Sequence, residues 1–227
     1  MRAILFAAGR GERMKPLTER APKALLEAGG KALIVRQLER LAAAGIRDVV
    51  VNVAHLGERI EAALGDGSRY GARILWSREP QPLETAGAVA WARSLLGPDP
   101  FLAVSADIHT AYDYSRLVPV AEAIARDPSR HAAHFVLVDN PAWHAGGDMG
   151  LEGGRVVRGG PTLTYANISV FHPALFDEVE AGTRLALFPW SYRLVDEGRV
   201  SGERFTGEWD NVGTPAQLAA LDRRLSG

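Results

Sequence analysis

Arg2-Ala3-Ile4-Leu5-Phe6-Ala7-Ala8-Gly9-Arg10-Gly11-Glu12-Arg13-Met14-Lys15-Pro16-Leu17-Thr18 begins as an apolar run and breaks directly into a stretch rich in glycine and arginine. The run predicts a buried strand over Arg2 to Ala7, and a strand leading into a glycine loop is the first mark of an α/β fold. Working outward, Leu33 to Ala44 carries apolar residues at helical spacing and stops at Gly45, a C′ glycine. Val49 to Val53 reads as a strand, Gly57 to Leu64 as a helix, Ala72 to Trp76 as extended, and Ala86 to Leu96 as a helix. Phe101 to Val104 is then a short buried strand that ends on Ser105, Ala106 and Asp107. Strands alternating with helices of about 10 to 15 residues predict right-handed β-α-β units, hence a Rossmann-like, mostly parallel sheet flanked by helices.

Farther along, Ser115 to Arg126, Leu185 to Glu197 and Pro215 to Leu225 read as helices, and His134 to Val138, Tyr165 to Phe171 and Glu203 to Thr206 as strands. Between Asn140 and Thr162 glycine and proline are frequent, which predicts irregular hairpins on the acceptor side of a cleft.

At 227 residues and 47% hydrophobic content, the chain can bury one substantial core, so a single domain is expected over 1–227. The formal charge of -1, from 26 basic and 27 acidic residues, provides no global field for nucleic acid or an anionic membrane, so neither is expected as a partner. The absence of cysteine removes disulfides, thiolate zinc sites and thiol nucleophiles together. The apolar run at Ala3 to Ala8 is too short for a signal-peptide core, and no later segment approaches about 18 consecutive apolar residues; a cytoplasmic protein is expected. Basic residues are nearly all arginine, and Lys15, Lys23 and Lys31 are the only lysines, which directs attention to Lys15 and Lys23 beside the loop.

Gly9 and Gly11 directly after a first strand let backbone amides approach a ligand closely, and Arg13 and Lys23 add full positive charges. Together they describe a cradle for a triphosphate. A dinucleotide fingerprint would need a third glycine where Met14 stands, and a Walker loop would need Gly-Lys-Ser/Thr, which does not occur. A plain arginine-rich surface turn is the competing reading for the glycines and arginines alone.

Three further places carry polar groups that chemistry could use. Pro82-Leu83-Glu84-Thr85-Ala86-Gly87-Ala88 precedes a helix whose first amides can donate to base carbonyls, with Gly87 admitting a flat ring; ordinary capping by Thr85 is the alternative. Asp107, after the apolar run, lies where parallel sheets place their ligands, and a carboxylate facing phosphates there is a natural ligand for magnesium. A helix cap or turn aspartate is the plain alternative. His131 and His134 straddle a loop-to-strand boundary and suggest no metal site, and no Ser/His/Asp constellation is evident.

Gly9, Gly11, Arg13, Pro16, Leu17, Thr18, Pro22 and Lys23 stand in register with the motif Gly-x-Gly-x-Arg-x-x-Pro-Leu-Thr followed by Pro-Lys, and on these residues the chain resembles the sugar-1-phosphate nucleotidyltransferases. The resemblance runs through nearly the whole chain. It implies a fold of the nucleotide-diphospho-sugar transferase type, with a nucleotide-binding part over about 1–110 and a sugar-binding part over about 111–227. It also implies that Ala8, Gly9 and Gly11 meet the nucleotide through the backbone, Arg13 the triphosphate, Lys23 the α-phosphate and the sugar phosphate, and Glu84 and Gly87 the base. Asp107 would hold a magnesium ion, although the family aspartate usually follows glycine and here follows Ala106.

The second metal ligand of the family is an aspartate just before Val-Gly-Thr. In Trp209-Asp210-Asn211-Val212-Gly213-Thr214-Pro215 that position is Asn211, so either Asn211 serves as a neutral ligand or Asp210 replaces it. Tyr165-Ala166-Asn167-Ile168-Ser169-Val170-Phe171 is similar to the strand that offers a polar residue to the sugar, and Asn167 is the candidate. Phe188-Pro189-Trp190-Ser191-Tyr192 could add an aromatic wall, though its spacing suits core packing. The Leu-Glu-Thr turn and the Trp-x-Asn-Val-Gly-Thr-Pro stretch look most like the bacterial N-acetylmuramate 1-phosphate uridylyltransferases of cell-wall peptidoglycan recycling, which implies UTP and that sugar as substrates. Mannose 1-phosphate guanylyltransferase (GTP) and glucose 1-phosphate nucleotidyltransferase are the alternatives within the reaction class, and a non-catalytic nucleotide-sugar binding protein is the alternative outside it. A nicotinamide-dependent oxidoreductase is a more distant reading. A monomer or small homo-oligomer is expected.

Overall fold

Strand β1, Ala3–Phe6, alternates between two apolar environments in the computed structural model, which describes all 227 residues, Met1–Gly227. Ala3 and Leu5 join one buried cluster and Ile4 joins another, so both faces of the strand are covered. The chain continues through β2 (Glu27–Ala28), β3 (Lys31–Ala32), α1 (Leu33–Ala43), β4 (Asp48–Val53), α2 (Gly57–Leu64), β5 (Arg73–Arg78), α3 (Glu84–Trp91), α4 (Arg93–Leu96), β6 (Phe101–Ser105) and β7 (Ile108–Thr110). It then forms α5 (Val118–Arg126), β8 (Ala133–Val138), β9 (Met149–Glu152), β10 (Arg155–Val157), β11 (Thr162–Phe171), α6 (Leu187–Trp190), α7 (Tyr192–Asp196), β12 (Val200–Phe205), β13 (Trp209–Asn211) and α8 (Pro215–Ser226).

Nine strands make one sheet in the order β5-β4-β1-β6-β11-β8-β12-β10-β9. The parallel arrangement holds for β5, β4, β1 and β6, which are joined by helical crossovers. Beyond β6 the sheet is mixed. β11 inserts antiparallel between β6 and β8, while β12 lies parallel to β8. The reversal has a simple cause: β11 follows β8 through the β9–β10 hairpin, and a return without a crossover helix reverses the chain direction. Apolar residues of α1, α2 and α5 pack on one face of the sheet, and those of α3, α4, α6 and α7 on the other.

Helix α1 ends as its sequence predicts. The Gly45 amide donates to Ala42 O at 3.0 Å and the Ile46 amide to Leu41 O at 2.9 Å, with Gly45 at φ 79°. The single helix expected over Leu185 to Glu197 is instead two short ones, α6 and α7, because Phe188 is extended (φ -109°, ψ 136°), the conformation favoured before a proline. No helix is long and apolar enough to cross a membrane.

Strand order positions the site. From β1 the chain builds outward to β4 and β5 and then returns to β6 on the opposite side, so the crevice for a ligand opens at the carboxyl edge between β1 and β6. Phe6 is paired with Ser105 across that edge, and the Ala106 amide donates to Phe6 O at 3.0 Å. A third apolar cluster pins the loop after β1. Met14 is fully buried with Ala28, Leu33, Val212, Leu218 and Leu221, which anchors the loop to α8 by about 1.5 to 3 kcal/mol of side-chain burial. Met14, where a dinucleotide fingerprint would have glycine, is thus a structural anchor.

Candidate active site

The loop after β1 and the turn before α3 form the two walls of a cleft of about 610 Å³ whose floor is the carboxyl edge of β1, β4 and β6. Ala8, Gly9, Arg10, Gly11 and Glu12 line it from the loop, Gln81 to Thr85 from the turn, and Phe6, Asn52, Ser105 and Asp107 from the strand ends, with Glu79 behind them and Arg184 reaching in from the distal half. Gly11 has φ +62°, and a Cβ there would stand 2.8 Å from Thr18 Cγ2 and 3.2 Å from Lys23 Cβ. Only glycine allows the loop to fold so tightly over those two side chains. Thr18, almost fully buried, closes the turn by donating its hydroxyl to Gly11 O at 2.9 Å.

Lys23 projects from the short helical turn that follows Pro22, and its ammonium donates to the Asp107 carboxylate; the two side chains are 13% and 28% exposed. The cation predicted to meet phosphate and the carboxylate predicted to hold metal are therefore direct neighbours, 84 residues apart in the chain. Ala106 before Asp107 is buried in the apolar core, so its methyl is accommodated where the family usually has glycine. Arg13 is not among the residues lining the cleft; it is exposed, and a Cβ on Gly213 would lie 3.4 Å from its guanidinium. Arg10, not singled out from the sequence, is the loop arginine that lines the cleft. Lys15 is paired with Glu12 at 2.7 Å.

The turn before α3 differs from the sequence expectation in one respect. Gly87 lies beneath the segment Thr183 to Leu185, not in the cleft, since a Cβ on it would approach Thr183 O to 2.2 Å. The Ala86 and Gly87 amides both donate to Leu185 O, at 2.9 and 3.0 Å, and are not free for a base. Helix packing thus explains Gly87, and of the polar residues in the stretch 82–88, Glu84 and Thr85 line the cleft. Glu84 holds φ +63°, uncommon for a residue with a Cβ, and its carboxylate accepts from Arg184 at 2.6 Å.

A second cavity, of about 330 Å³, adjoins the first at Thr85 and is lined by Trp143, His144, Asp148, Thr164, Tyr165, Asn167, Phe188, Trp209 and Asn211 among others. Asn167 reaches it because β11 shifts register between Tyr165 and Ser169, and Asn167 sits in the irregularity at φ +58°, a backbone conformation asparagine tolerates. Trp143, 51% exposed, stacks on Trp209 with ring centroids 6.4 Å apart. His144 Nε2 lies 3.0 Å from Asp148 Oδ1, and Asp148 Oδ2 accepts from the Tyr165 amide at 2.8 Å. Phe188 both lines this cavity and packs on Phe135 and Tyr165, whereas Trp190 stacks on Phe176 away from it. His134 is buried on the far side, bonded through Nδ1 to Ser201 Oγ at 2.9 Å.

Asn211 and Asp210 are separated by strand pleat. β13 pairs with β7, Asn211 opposite Ile108, and the Val212 amide donates to Asp107 O at 2.9 Å, which brings β13 against the Asp107 turn. Asn211 lines the second cavity, whereas Asp210 points the opposite way into an ion pair with Arg224. For a magnesium ion the residues present are Asp107 and the neutral Asn211, and no cluster of three acidic or imidazole groups accompanies them. An oxygen-only set with one carboxylate fits magnesium, which keeps several waters and takes its remaining ligands from substrate phosphates.

These two joined cavities are the context for likeness to known proteins. Residues 2–144 match the model of the nucleotidyl transferase family. The N-acetylmuramate alpha-1-phosphate uridylyltransferase of Neisseria meningitidis serogroup B is 44% identical over 223 residues, covering 96% of this chain and 95% of that protein. The protein of the same description from Caulobacter vibrioides is 34% identical over 235 residues (99% and 96%), and a mannose-1-phosphate guanyltransferase of Neurospora crassa is 29% identical over 231 residues, covering 95% of this chain but 61% of its own. In structure, a Bacillus anthracis chain crystallised with sucrose superposes with a TM-score of 0.83 at 20% identity, covering 100% of this chain and 95% of that one. HddC of Yersinia pseudotuberculosis, complexed with GMP-PN, superposes with a TM-score of 0.76 at 15% identity and 98% coverage of each chain, so the fold is that of the nucleotide-diphospho-sugar transferases. With its glycine loop, its Lys23–Asp107 pair and matches that span the chain, the protein belongs to the nucleotidyl transferase family.

Proposed function

We propose that the protein is a magnesium-dependent uridylyltransferase that joins N-acetylmuramate 1-phosphate to UTP, giving the UDP-sugar and pyrophosphate. The observation that carries this reading is Asp107 at the carboxyl edge of β6, lining a cleft walled by the glycine loop and paired with Lys23. An oxygen of the sugar phosphate attacks the α-phosphorus of the triphosphate in line, and the bond to the bridging α–β oxygen breaks with its electron pair leaving on pyrophosphate. The attacking oxygen is already anionic near neutral pH, so the chemistry needs positioning and charge neutralisation more than a base.

Ala8, Gly9 and Gly11 present backbone amides to the phosphates, Lys23 stands beside the α-phosphate, and Arg10 faces the departing pyrophosphate from the cleft wall, with Arg13, exposed on the same loop, supplying further positive charge. Glu84 and Thr85 meet the base. Asp107, with Asn211 as a neutral partner, would hold magnesium, whose charge would offset that of the phosphates. On the acceptor side, the Trp143–Trp209 stack offers an apolar face to the sugar ring, and Asn167 with the His144–Asp148 pair offers hydrogen bonds to its substituents. Each cavity takes one lining residue from across the division near residue 110: Arg184 on the nucleotide side and Thr85 on the sugar side. Preference for UTP and the muramate sugar is supported by the two relatives that match along nearly their full length. That substrate pair fits a cytoplasmic role in peptidoglycan recycling.

A matrix of four nucleoside triphosphates against several sugar 1-phosphates, read as pyrophosphate release with magnesium, tests the proposal. GTP with mannose 1-phosphate, or a triphosphate with glucose 1-phosphate, as the best pair would replace the substrates named. Binding without turnover in every well would make the protein a nucleotide-sugar binder. Asp107→Ala and Lys23→Ala should each lower turnover by orders of magnitude with the fold intact, and near-normal turnover in both would refute the site.

A further inference from the structure

Two nearly buried polar side chains beneath the cleft carry no role in the reaction described above. Asn52, at the carboxyl end of β4, is 4% exposed, and Glu79, one residue beyond β5, is 7% exposed. They are joined in a continuous chain of hydrogen bonds. The Ala7 amide donates to Asn52 Oδ1 at 2.8 Å, Asn52 Nδ2 donates to Glu79 Oε1 at 2.6 Å, and the Leu83 amide donates to Glu79 Oε2 at 3.0 Å. The Glu79 backbone is itself fixed, its amide donating to Val53 O at 2.8 Å. One end of the chain is the residue just before the phosphate loop and the other is the base turn.

From this geometry we infer that Glu79 is a positioning residue that sets the separation of the phosphate loop from the base turn, acting through Asn52 and the Leu83 amide. The inference rests on the reading of the cleft as a nucleotide site. A nucleoside triphosphate is held at both ends, so its affinity depends on the two walls standing the right distance apart. The polarity of the relay is fully determined. Once Asn52 Oδ1 accepts from the backbone, its amide nitrogen must face Glu79, which then meets two donors and needs two acceptor oxygens. A carboxylate supplies them, and a carboxamide supplies one. No cation accompanies Glu79, and burial raises its pKa above the ordinary glutamate value, so the group is kept at an electrostatic cost. Holding two loops in register explains that cost where charge pairing does not.

The relay predicts a reciprocal swap. In Glu79→Gln an amide N–H faces another donor, and affinity for the triphosphate should fall about tenfold or more. In Asn52→Asp two carboxylates face each other, with a similar loss. In the double variant Asn52→Asp/Glu79→Gln the middle bond reverses and both ends are kept: the carboxylate at 52 accepts from Ala7 and from the new amide, whose oxygen accepts from Leu83. Titration calorimetry of UTP with magnesium and steady-state kinetics are read together. The expected result is a raised KM and Kd for the triphosphate in both single variants, an unmoved KM for the sugar 1-phosphate, and recovery close to wild type in the double variant. Single variants that bind UTP as tightly as wild type overturn the inference, as does a double variant that folds and stays as weak as the singles. A wild-type protein that binds no triphosphate overturns the proposed function and this inference with it, whereas binding by wild type and Glu79→Gln alike overturns this inference alone.

Discussion

Replacing Gly11 and Gly9 separately by alanine distinguishes the glycine that shapes the loop after β1 from the one that leaves room in the cleft. At Gly11 the backbone is left-handed (φ +62°), and the new methyl would stand 2.8 Å from Thr18 Cγ2 and 3.2 Å from Lys23 Cβ. The backbone conformation costs an alanine about 1 to 2 kcal/mol, and forcing a methyl into packed surroundings costs about 1 to 3 kcal/mol more. Taking about 2 to 5 kcal/mol together, and roughly 2 to 4 °C per kcal/mol for a chain of this size, Gly11→Ala should melt on the order of 4 to 20 °C below wild type. Any relaxation pushes Thr18 and Lys23 outward, which draws the ammonium away from Asp107, so turnover should fall as well.

Gly9 differs on each count. It is exposed, its φ is ordinary, and nothing lies within 4 Å of an added Cβ, yet it lines the cleft. Gly9→Ala should therefore melt with wild type while the KM for the triphosphate rises. Differential scanning calorimetry and pyrophosphate release on the same preparations check both. A Gly11→Ala protein that melts within about a degree of wild type with normal turnover would refute the loop argument, and so would a Gly9→Ala protein that is the less stable of the two.

Three other outcomes follow from the same geometry. Asn211→Asp adds a charge on the side of β13 that lines the cavity and should lower the magnesium concentration needed for half-maximal turnover, whereas Asp210→Asn, which breaks only the pair with Arg224, should leave it unchanged; a magnesium titration of both variants decides. Gly87→Ala places a methyl 2.2 Å from Thr183 O and should destabilise the fold by about 2 kcal/mol or more, with a raised triphosphate KM because Arg184 rides on the displaced segment; an unchanged melting curve would contradict the packing role. His134, Tyr112 and Arg116 around Glu203 hold its carboxyl below the ordinary glutamate range, so its contribution to stability is complete above the unfolded value near about pH 4.3 and is lost as pH falls through the lower folded value. Denaturation of wild type and Glu203→Gln across pH should show a stability gap at neutral pH that closes in acid.

How far the sequence carried depends on the range of the interaction. Local signals were sufficient for β1, the Gly45 stop of α1, the Gly57–Leu64 helix and the placement of Asp107, because apolar period, a left-handed glycine and a strand end are properties of neighbouring residues. Local spacing was misleading over Leu185 to Glu197, where Pro189 overrides the apolar pattern. Gly87 was read as room for a base, since nothing nearby in sequence announces that Thr183 O will lie against it.

By itself, the sequence determined an α/β chain whose first strand runs into a glycine loop, and it offered Arg13, Lys23 and Asp107 as charged candidates, because these are readings of type and order along one strand of polymer. Only the tertiary structure decided that Lys23 and Asp107 touch, that Asn211 and not Asp210 turns to the cavity, that Arg10 lines the cleft, and that Glu79 ties its two walls together. Each of those depends on strand order, pleat or a contact between residues far apart in the chain, and those are settled when the sheet assembles and both its faces are buried.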